Sequence, residues 1–416
     1  MSAKRDNSTS NRPEVAIVGA GMGGLLTGIL LAKRGHSVRL FERRTREEIL
    51  TPSPQRMTIT LSERGLSVLE DAGLRESVQG RALLLRERVV HCRGRSYRYA
   101  YDSDKKRGLY AVGRHELAEA LLVAASVQQG LAIEFGQAFE SLDKNAQTAS
   151  FRAHDGKTST VAYGLLVGAD GAFSRVRTQM QKGERADYTQ RFSSWGYMDV
   201  PISAAGAMAA DGGLHVWPGK DRLLIVIPMI QGLAGFLFCD LDSIDFAESH
   251  TLSTFIGRSW PTFPSDSIEG AGMHMHCGAF HPMVQTRTSK WTYGSSIALV
   301  GDACHAILPF LGQGTSAAFE DAWELARTLG DSPSTWARDL AAYQAAQKPN
   351  TDALEEFAEK HLASLTIAPE RPLRAAVARV LDLVRGALSG RRRSAYESIA
   401  HTRVPIRQIV SSVGRH

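Results

Sequence analysis

The chain has 416 residues, too many for one small core, so two interleaved domains are expected. A hydrophobic content of 43% and a charged content of 22% suit an ordinary globular protein. The net charge of +6 comes from scattered basic residues with no nucleic-acid-binding module, which argues against a nucleic-acid partner. Cys92, Cys239, Cys277 and Cys304 are far apart with no C-x-x-C pair, so reduced thiols in a cytoplasmic protein are expected. No apolar run approaches the ~18 residues of a transmembrane segment. Residues 1–12 are mostly polar with no apolar run and are expected as a disordered tail, not a signal peptide.

The first element is the apolar run Val15 to Val18, which suits a buried parallel strand. It runs into Gly19, Gly21 and Gly24, a G-x-G-x-x-G pattern. A helix from Leu25 to Arg34 follows, stopped by Gly35, and then a strand from Val38 to Phe41 that ends on Glu42. In such a unit the glycines allow a tight turn, close approach to a pyrophosphate and close helix–strand packing. The helix N-terminus offers free N–H groups to the phosphates, and Glu42 is placed to accept from a ribose. The motif implies a dinucleotide and does not separate FAD from NAD(P).

Arg43 to Gln55 is polar and reads as a loop. Met57 to Leu61 alternates as a strand, and Ser62 is expected to cap a helix to about Ala72. Val89 to Tyr101 reads as a hairpin turning at Arg93–Gly94. Leu109 to Val112 is a strand, and Arg114 opens a helix to about Gln128. Short strands are expected at Ile133–Phe135, Ala149–His154 and Thr158–Ala162. An apolar strand then leads into Gly168-Ala169-Asp170-Gly171 and a helix beginning with Ser174 and Arg175. From about 185 to 290 the pattern turns to strands, as in a mainly antiparallel sheet that presents a platform for a second ligand. His274 and His276 share one strand face but have no third ligand nearby, so no metal site is expected.

A buried strand, Ile297 to Val300, precedes a third motif running from Gly301-Asp302 through Pro309 to Gly312-Gln313-Gly314, with a long helix from Thr315 to Leu329. Asp302 is suited to a sugar or ribityl hydroxyl, and backbone N–H groups near Gly312 to Thr315 to a ring carrying negative charge. Two helices are expected next, Ala337–Gln347 and Thr351–Leu365. Leu373, Val377, Val380, Leu381, Val384 and Leu388 recur at helical spacing before Arg391, Arg392 and Arg393. That basic amphipathic stretch suits packing on its own domain or weak contact with a membrane surface.

The three motifs in order, GAGMGG with Glu42, GADGAFSRVR, and VGDACHAILPFLGQGTSAAFED, resemble those of the single-component FAD-dependent aromatic hydroxylases. Within that family, QRMTITLSERGLSVLEDAGL, GYMDV, LHVWP and AILPFLGQG are similar to segments of the kynurenine 3-monooxygenase branch. The resemblance implies an α/β fold, with a Rossmann-like FAD-binding domain over 13–185 and 291–345 that carries an inserted hairpin near 85–112. It also implies an antiparallel substrate sheet over 186–290 and a C-terminal helical region over 346–416. FAD contacts are implied at Gly19, Gly21, Gly24, Glu42, Thr60, Arg114, Asp170, Asp302, Gly312, Gly314, Thr315 and Ser316. NADPH or NADH would bind transiently near Gly168 to Arg177, and O2 would be the co-substrate, reacting through a flavin C4a-hydroperoxide.

The same resemblance places an arginine and two tyrosines on the substrate's carboxylate, at Arg88, Tyr101 and Tyr396. A guanidinium grips a carboxylate through two parallel N–H bonds, and tyrosine hydroxyls add donors without charge. The family's asparagine and glutamate on a late helix fall near His361 and Ser364, so neither is kept, and His361 becomes a substrate-facing residue. The substrate implied is kynurenine or a related small aromatic acid, including one without an α-amino group. Two other readings of the residues stay open: a flavin reductase or dehydrogenase without oxygen insertion, and a flavin-bound scaffold that uses its basic C-terminal stretch.

Overall fold

The run Val15–Val18 forms strand β1 with all four residues buried, as suits a central strand covered on both faces. The computed structural model describes residues 15–51, 58–102, 107–203, 211–245, 251–269, 272–367 and 395–413. The tail 1–12 and the basic amphipathic stretch 373–393 lie outside the described residues. β1 pairs in parallel with β2 (Val38–Glu42) and β12 (Leu165–Gly168). With β8 (Leu131–Phe135), β19 (Ile297–Leu299) and antiparallel β18 (Thr292–Tyr293) they make a six-stranded sheet, ordered β18-β19-β12-β1-β2-β8.

In chain order the helices are α1 (Met22–Lys33), α2 (Arg46–Leu50), α3 (Glu63–Asp71), α4 (Arg75–Gln79), α5 (Arg114–Val127) and α6 (Arg175–Gln181). They continue with α7 (Leu252–Ser259), α8 (Gly314–Thr328), α9 (Trp336–Ile367), α10 (Ala395–His401) and α11 (Ile406–Val413). α1 packs against both α5 and α8, closing a core with the six-stranded sheet. No helix among the described residues is long and apolar enough to cross a membrane.

The second large sheet has eight strands, ordered β20-β17-β13-β16-β15-β14-β5-β6. Its members are β20 (His305–Ala306), β17 (His281–Thr288), β13 (Tyr188–Val200), β16 (Gly232–Asp240), β15 (Arg222–Met229), β14 (Gly213–Pro218), β5 (Glu87–Cys92) and β6 (Arg95–Ala100). The hairpin β5–β6 therefore extends this sheet, through a parallel pairing of β5 with β14. Arg93 and Gly94, at φ 51° and 72°, make its two-residue turn. A smaller sheet, β3-β7-β4 (Thr58–Leu61, Leu109–Gly113, Leu83–Leu85), lies between the halves of the chain. β9 (Gln137–Asp143), β10 (Thr148–Ala153) and β11 (Thr158–Ala162) form a three-stranded meander. β9 has no apolar alternation strong enough to announce it.

Four local expectations need correction. The stretch from Arg43 to Gln55, expected as a loop, carries α2, whose N-terminus Thr45 and Glu48 close with a capping box. Lys348-Pro349 does not divide two helices, because α9 runs through Pro349. The proline removes one backbone donor, but Asn350 Nδ2 donates to Ala346 O at 3.0 Å. Tyr343, Gln347, Thr351, Leu354 and Ala358 stay buried on both sides of it, and that packing outweighs one lost bond. Ser62 stands at the N-cap of α3 but makes no capping bond. Its hydroxyl bonds Gln313 Oε1 at 3.0 Å instead and lies 3.3 Å from Ser316 Oγ. His274 and His276 lie on an irregular, exposed segment and not on a strand.

Candidate active site

The turn after β1 is shaped by glycine geometry that side chains cannot share. Gly19 has φ 106°, and a Cβ there would lie 2.5 Å from Ala169 O. A Cβ on Gly24 would lie 2.0 Å from Gly19 O, so helix and strand meet only through glycine. Gly21, the N-cap of α1, is different. Its backbone is ordinary extended chain, and a Cβ would meet no atom within 4 Å. The protein leaves that space open at a helix N-terminus, which fits a phosphate.

Glu42 ends β2 and is buried. Its Oε2 accepts from Ala20 N at 2.7 Å, and its Oε1 accepts from Arg44 N and Nε at 3.0 and 2.9 Å. Burial alone would raise its pKa, but the Arg44 and Ala20 donors outweigh it and hold the carboxyl below its usual range. The group stays ionised at neutral pH and keeps lone pairs for sugar hydroxyls.

A cavity of about 370 Å³ opens between this turn and the eight-stranded sheet. Thr60, Arg114, Asp302, Gly312, Gly314 and Thr315 all line it, together with Met22 from the start of α1. Gly312 sits at φ 63°, and a Cβ there would come within 2.3 Å of Thr60 Oγ1, so β3 holds the turn from the side. Asp302 lies deep in the fold, yet its side chain is open to the cavity. Burial raises its pKa, while His305 and Arg114 oppose the rise. A donor-rich ligand that filled the cavity would meet this carboxyl.

Six of the expected residues stand apart from the cavity lining: Gly19, Gly21, Gly24 and Glu42 around the first turn, and also Asp170 and Ser316. Asp170 caps α6, accepting from Arg175 N and Val176 N at 2.7 and 3.1 Å and from Ser174 Oγ. Its carboxylate is committed to a helix N-terminus. Ser316 is fully buried beside Ser62 and Gly65. Both shape the walls behind the site rather than its surface.

At the other end of the cavity stand Arg88 on β5, Tyr101 just after β6, His361 on α9 and Tyr396 on α10. The Tyr101 and Tyr396 rings are 6.0 Å apart, and His361 stacks on Tyr396 at 6.1 Å with 20° between planes. Arg88 Nη1 is 3.5 Å from His361 Nε2, and Arg88 Nε is buried with no partner. Burial, then the Arg88 charge, pushes the His361 pKa down to about 3. Burial pushes Tyr396 up to about 12, and Tyr101 higher still. This end is thus one fixed cation with two neutral hydroxyls and a neutral imidazole, a set suited to an anion. The side chain of Ser364 lies outside the described residues.

Tyr396 reaches the cavity through a long-range tie. Buried Arg64 on α3 donates to Glu320 Oε1 at 2.6 Å, Ile399 O at 2.8 Å and Val404 O at 2.7 Å. It pins α10 and the following turn to α3 and α8. Nothing in the sequence around Arg64 announces that role.

The apolar walls were also missed. Leu214 and Val216 on β14, Ile225 and Ile227 on β15, Phe236 and Phe238 on β16, and Tyr197 on β13 all face inward. Each pair is spaced two apart, so strand alternation was the available signal. Phe310 packs edge-on to Trp195 and against Phe238. Beneath the third motif, Cys304, His305 and Asp321 are buried together, with His305 Nε2 2.5 Å from Asp321 Oδ2. Burial pushes the Cys304 thiol well up, so it stays protonated.

Residues 12–358 match the model of a family described as FAD binding domain. The kynurenine 3-monooxygenase of Salinispora arenicola (strain CNS-205) is 35% identical, over 97% of this chain and 91% of that protein. The kynurenine 3-monooxygenase of Christiangramia forsetii is 30% identical, over 85% of this chain and 80% of that protein. Among solved structures, a tetrameric 2-methyl-3-hydroxypyridine-5-carboxylic acid oxygenase aligns with a TM-score of 0.71 at 20% identity, covering 86% of this chain and 93% of that one. Pseudomonas aeruginosa PqsL in complex with 2-aminobenzoylacetate aligns with a TM-score of 0.69 at 22% identity, covering 89% and 100%.

Proposed function

The chain belongs to the FAD-binding-domain family of FAD-dependent monooxygenases, and on that premise we propose that it is an NAD(P)H-dependent aromatic ring hydroxylase acting on kynurenine or a related aromatic acid. One observation carries the reading. A single cavity joins the glycine turns at Gly312 and Gly314 to the cationic end at Arg88, with aromatic and aliphatic walls between them. Those are the parts needed to hold an apolar ring with an anionic tail against a cofactor.

Gly21, the N-terminus of α1 and Glu42 would hold the pyrophosphate and ribose, while Asp302 and the turn from Gly312 to Thr315 would hold the ribityl chain and ring. Bound FAD, once reduced by NAD(P)H, would activate dioxygen, one atom of which goes to the ring and the other to water. The chain's own task is placement. Arg88, Tyr101 and Tyr396 grip the carboxylate and so fix how far the aromatic ring reaches. Phe236, Phe238, Ile225 and Phe310 form the walls around the ring and keep water away. No acid–base pair is required if the ring already carries an activating amino group.

NADPH and NADH oxidation by the FAD-loaded protein in air, with and without aromatic acids, tests the proposal when product mass is read in the same sample. Stimulated oxidation with a product heavier by one oxygen atom is expected. Stimulation by every acid tried without a heavier product would overturn ring hydroxylation.

A further inference from the structure

The charges at the tail end of the cavity are unbalanced, and the imbalance bears on substrate choice. Among the described residues lining the cavity the only carboxylate is Asp302, which sits in the third motif and faces Arg114 and His305. No carboxylate of the described lining stands beside Arg88. The groups around the guanidinium are Tyr101, Tyr396 and His361. A carboxylate fits there, because it neutralises Arg88 and takes hydrogen bonds from both hydroxyls. An ammonium on the adjacent carbon does not fit. It would sit near a like charge, partly desolvated, with no carboxylate of the described lining to meet it.

His361 does not relieve this. Arginine only donates hydrogen bonds, so in the 3.5 Å contact with Arg88 Nη1 the His361 Nε2 atom is the acceptor. The ring is then neutral with its proton on Nδ1, which agrees with the direction of its pKa. Its one lone pair already faces a cation, and its other nitrogen carries a hydrogen. Its position is also set by stacking between Phe357, at 6.5 Å, and Tyr396. An imidazole held this way has no acceptor to offer an ammonium.

We infer that the site selects aromatic acids whose side chain bears a carboxylate but no α-ammonium group, and that His361 is the residue that sets this choice. The inference rests on the hydroxylase reading above and narrows its substrate to an aryl keto acid or similar deaminated acid.

The test is a pair of titrations on the FAD-loaded full chain, followed by the change in flavin absorbance. The probes are L-kynurenine and 4-(2-aminophenyl)-4-oxobutanoate, which differ only by the α-amino group. The deaminated acid is expected to bind at least about tenfold more tightly, equivalent to ~1.4 kcal/mol. His361→Glu is expected to move the ratio toward L-kynurenine by about tenfold. His361→Gln, which stays neutral, keeps the preference for the deaminated acid. Should His361→Glu lose its flavin, the wild-type ratio decides alone. L-kynurenine binding as tightly as its analogue, or more tightly, overturns the inference and leaves the hydroxylase standing. No flavin response to either acid overturns the inference and moves the search for the hydroxylase's substrate to other aromatic acids.

Discussion

Gly19, Gly21, Gly24 and Glu42 lie on one strand–turn–helix–strand unit, whereas Arg88, Tyr101, His361 and Tyr396 come from four elements spread across the chain. At the first site the contacts come mostly from the same unit, such as Gly19 O against Gly24 or Ala20 N on Glu42, with Ala169 closing on Gly19 from just past the neighbouring strand. At the second, every side chain depends on a remote partner. β5 must pair with β14, α9 must continue past Pro349, and Arg64 must hold α10. The two sites therefore have different sensitivities. The nucleotide end should fail through local backbone strain, and the tail end through distant changes that leave the motifs untouched.

The largest expected effect tests the distant tie. Arg64→Ala leaves Glu320 buried without its cation and frees α10, a loss of about 3–5 kcal/mol. Urea unfolding should report it, and the surviving folded enzyme should show raised KM for the aromatic acid with FAD affinity little changed. If KM stays the same, the tail end does not depend on Arg64.

Next is a pair of glycine substitutions that separates fold from ligand. Gly24→Ala drives a Cβ into Gly19 O and should cost about 3 kcal/mol, seen as a lowered Tm without added FAD. Gly21→Ala meets no protein atom. It should keep the apoprotein Tm and weaken FAD binding at least about tenfold, because the added methyl enters the space assigned to phosphate.

Arg88→Ala should lower kcat/KM for the aromatic acid by about 100-fold, or ~2.7 kcal/mol, with FAD content unchanged. Equal losses with and without the carboxylate on the probe would detach Arg88 from the tail.

The pH dependence of the His305–Asp321 pair is a subtler test. Burial would lower the His305 pKa, but the Asp321 carboxylate outweighs it and raises it above the ordinary value. Stabilisation from a raised pKa is complete below the unfolded value of about 6.5 and is lost as pH rises through the folded value, ~1.4 kcal/mol for each pH unit that separates the two. The stability gap between wild type and Asp321→Asn should thus be widest near pH 6 and narrow at higher pH. A gap that widens with pH would mean His305 is neutral.

The smallest expected effect is Tyr396→Phe, which removes one donor and should raise KM by about tenfold, ~1.4 kcal/mol.

How much of this was readable in advance follows the same division. The first motif, its helix and Glu42 appear where the sequence puts them, because φ-positive turns and buried apolar strands are local constraints. Thr60, Arg114, Asp302, Gly312, Gly314 and Thr315 were likewise named from motifs and share one cavity. Asp170 lies outside the cavity lining and accepts from the N-terminus of α6, and a carboxylate beside a glycine turn looks alike in sequence whether it meets a ligand or a helix N-terminus. Pro349 misled for a related reason: proline's cost is local, but the burial of Tyr343 and Leu354 that overrides it is not.

By itself, then, the sequence determined the nucleotide-binding unit and the strand-rich middle, because these rest on backbone geometry and periodicity, while Arg88, Tyr101 and Tyr396 were named only through a family resemblance. Only the tertiary structure decided that Arg88 faces His361, that no carboxylate of the described lining stands beside it, and that Arg64 carries Tyr396 into the cavity. Charge balance in a cavity is a sum over residues far apart in the chain, and it acquires a value only when they are brought together.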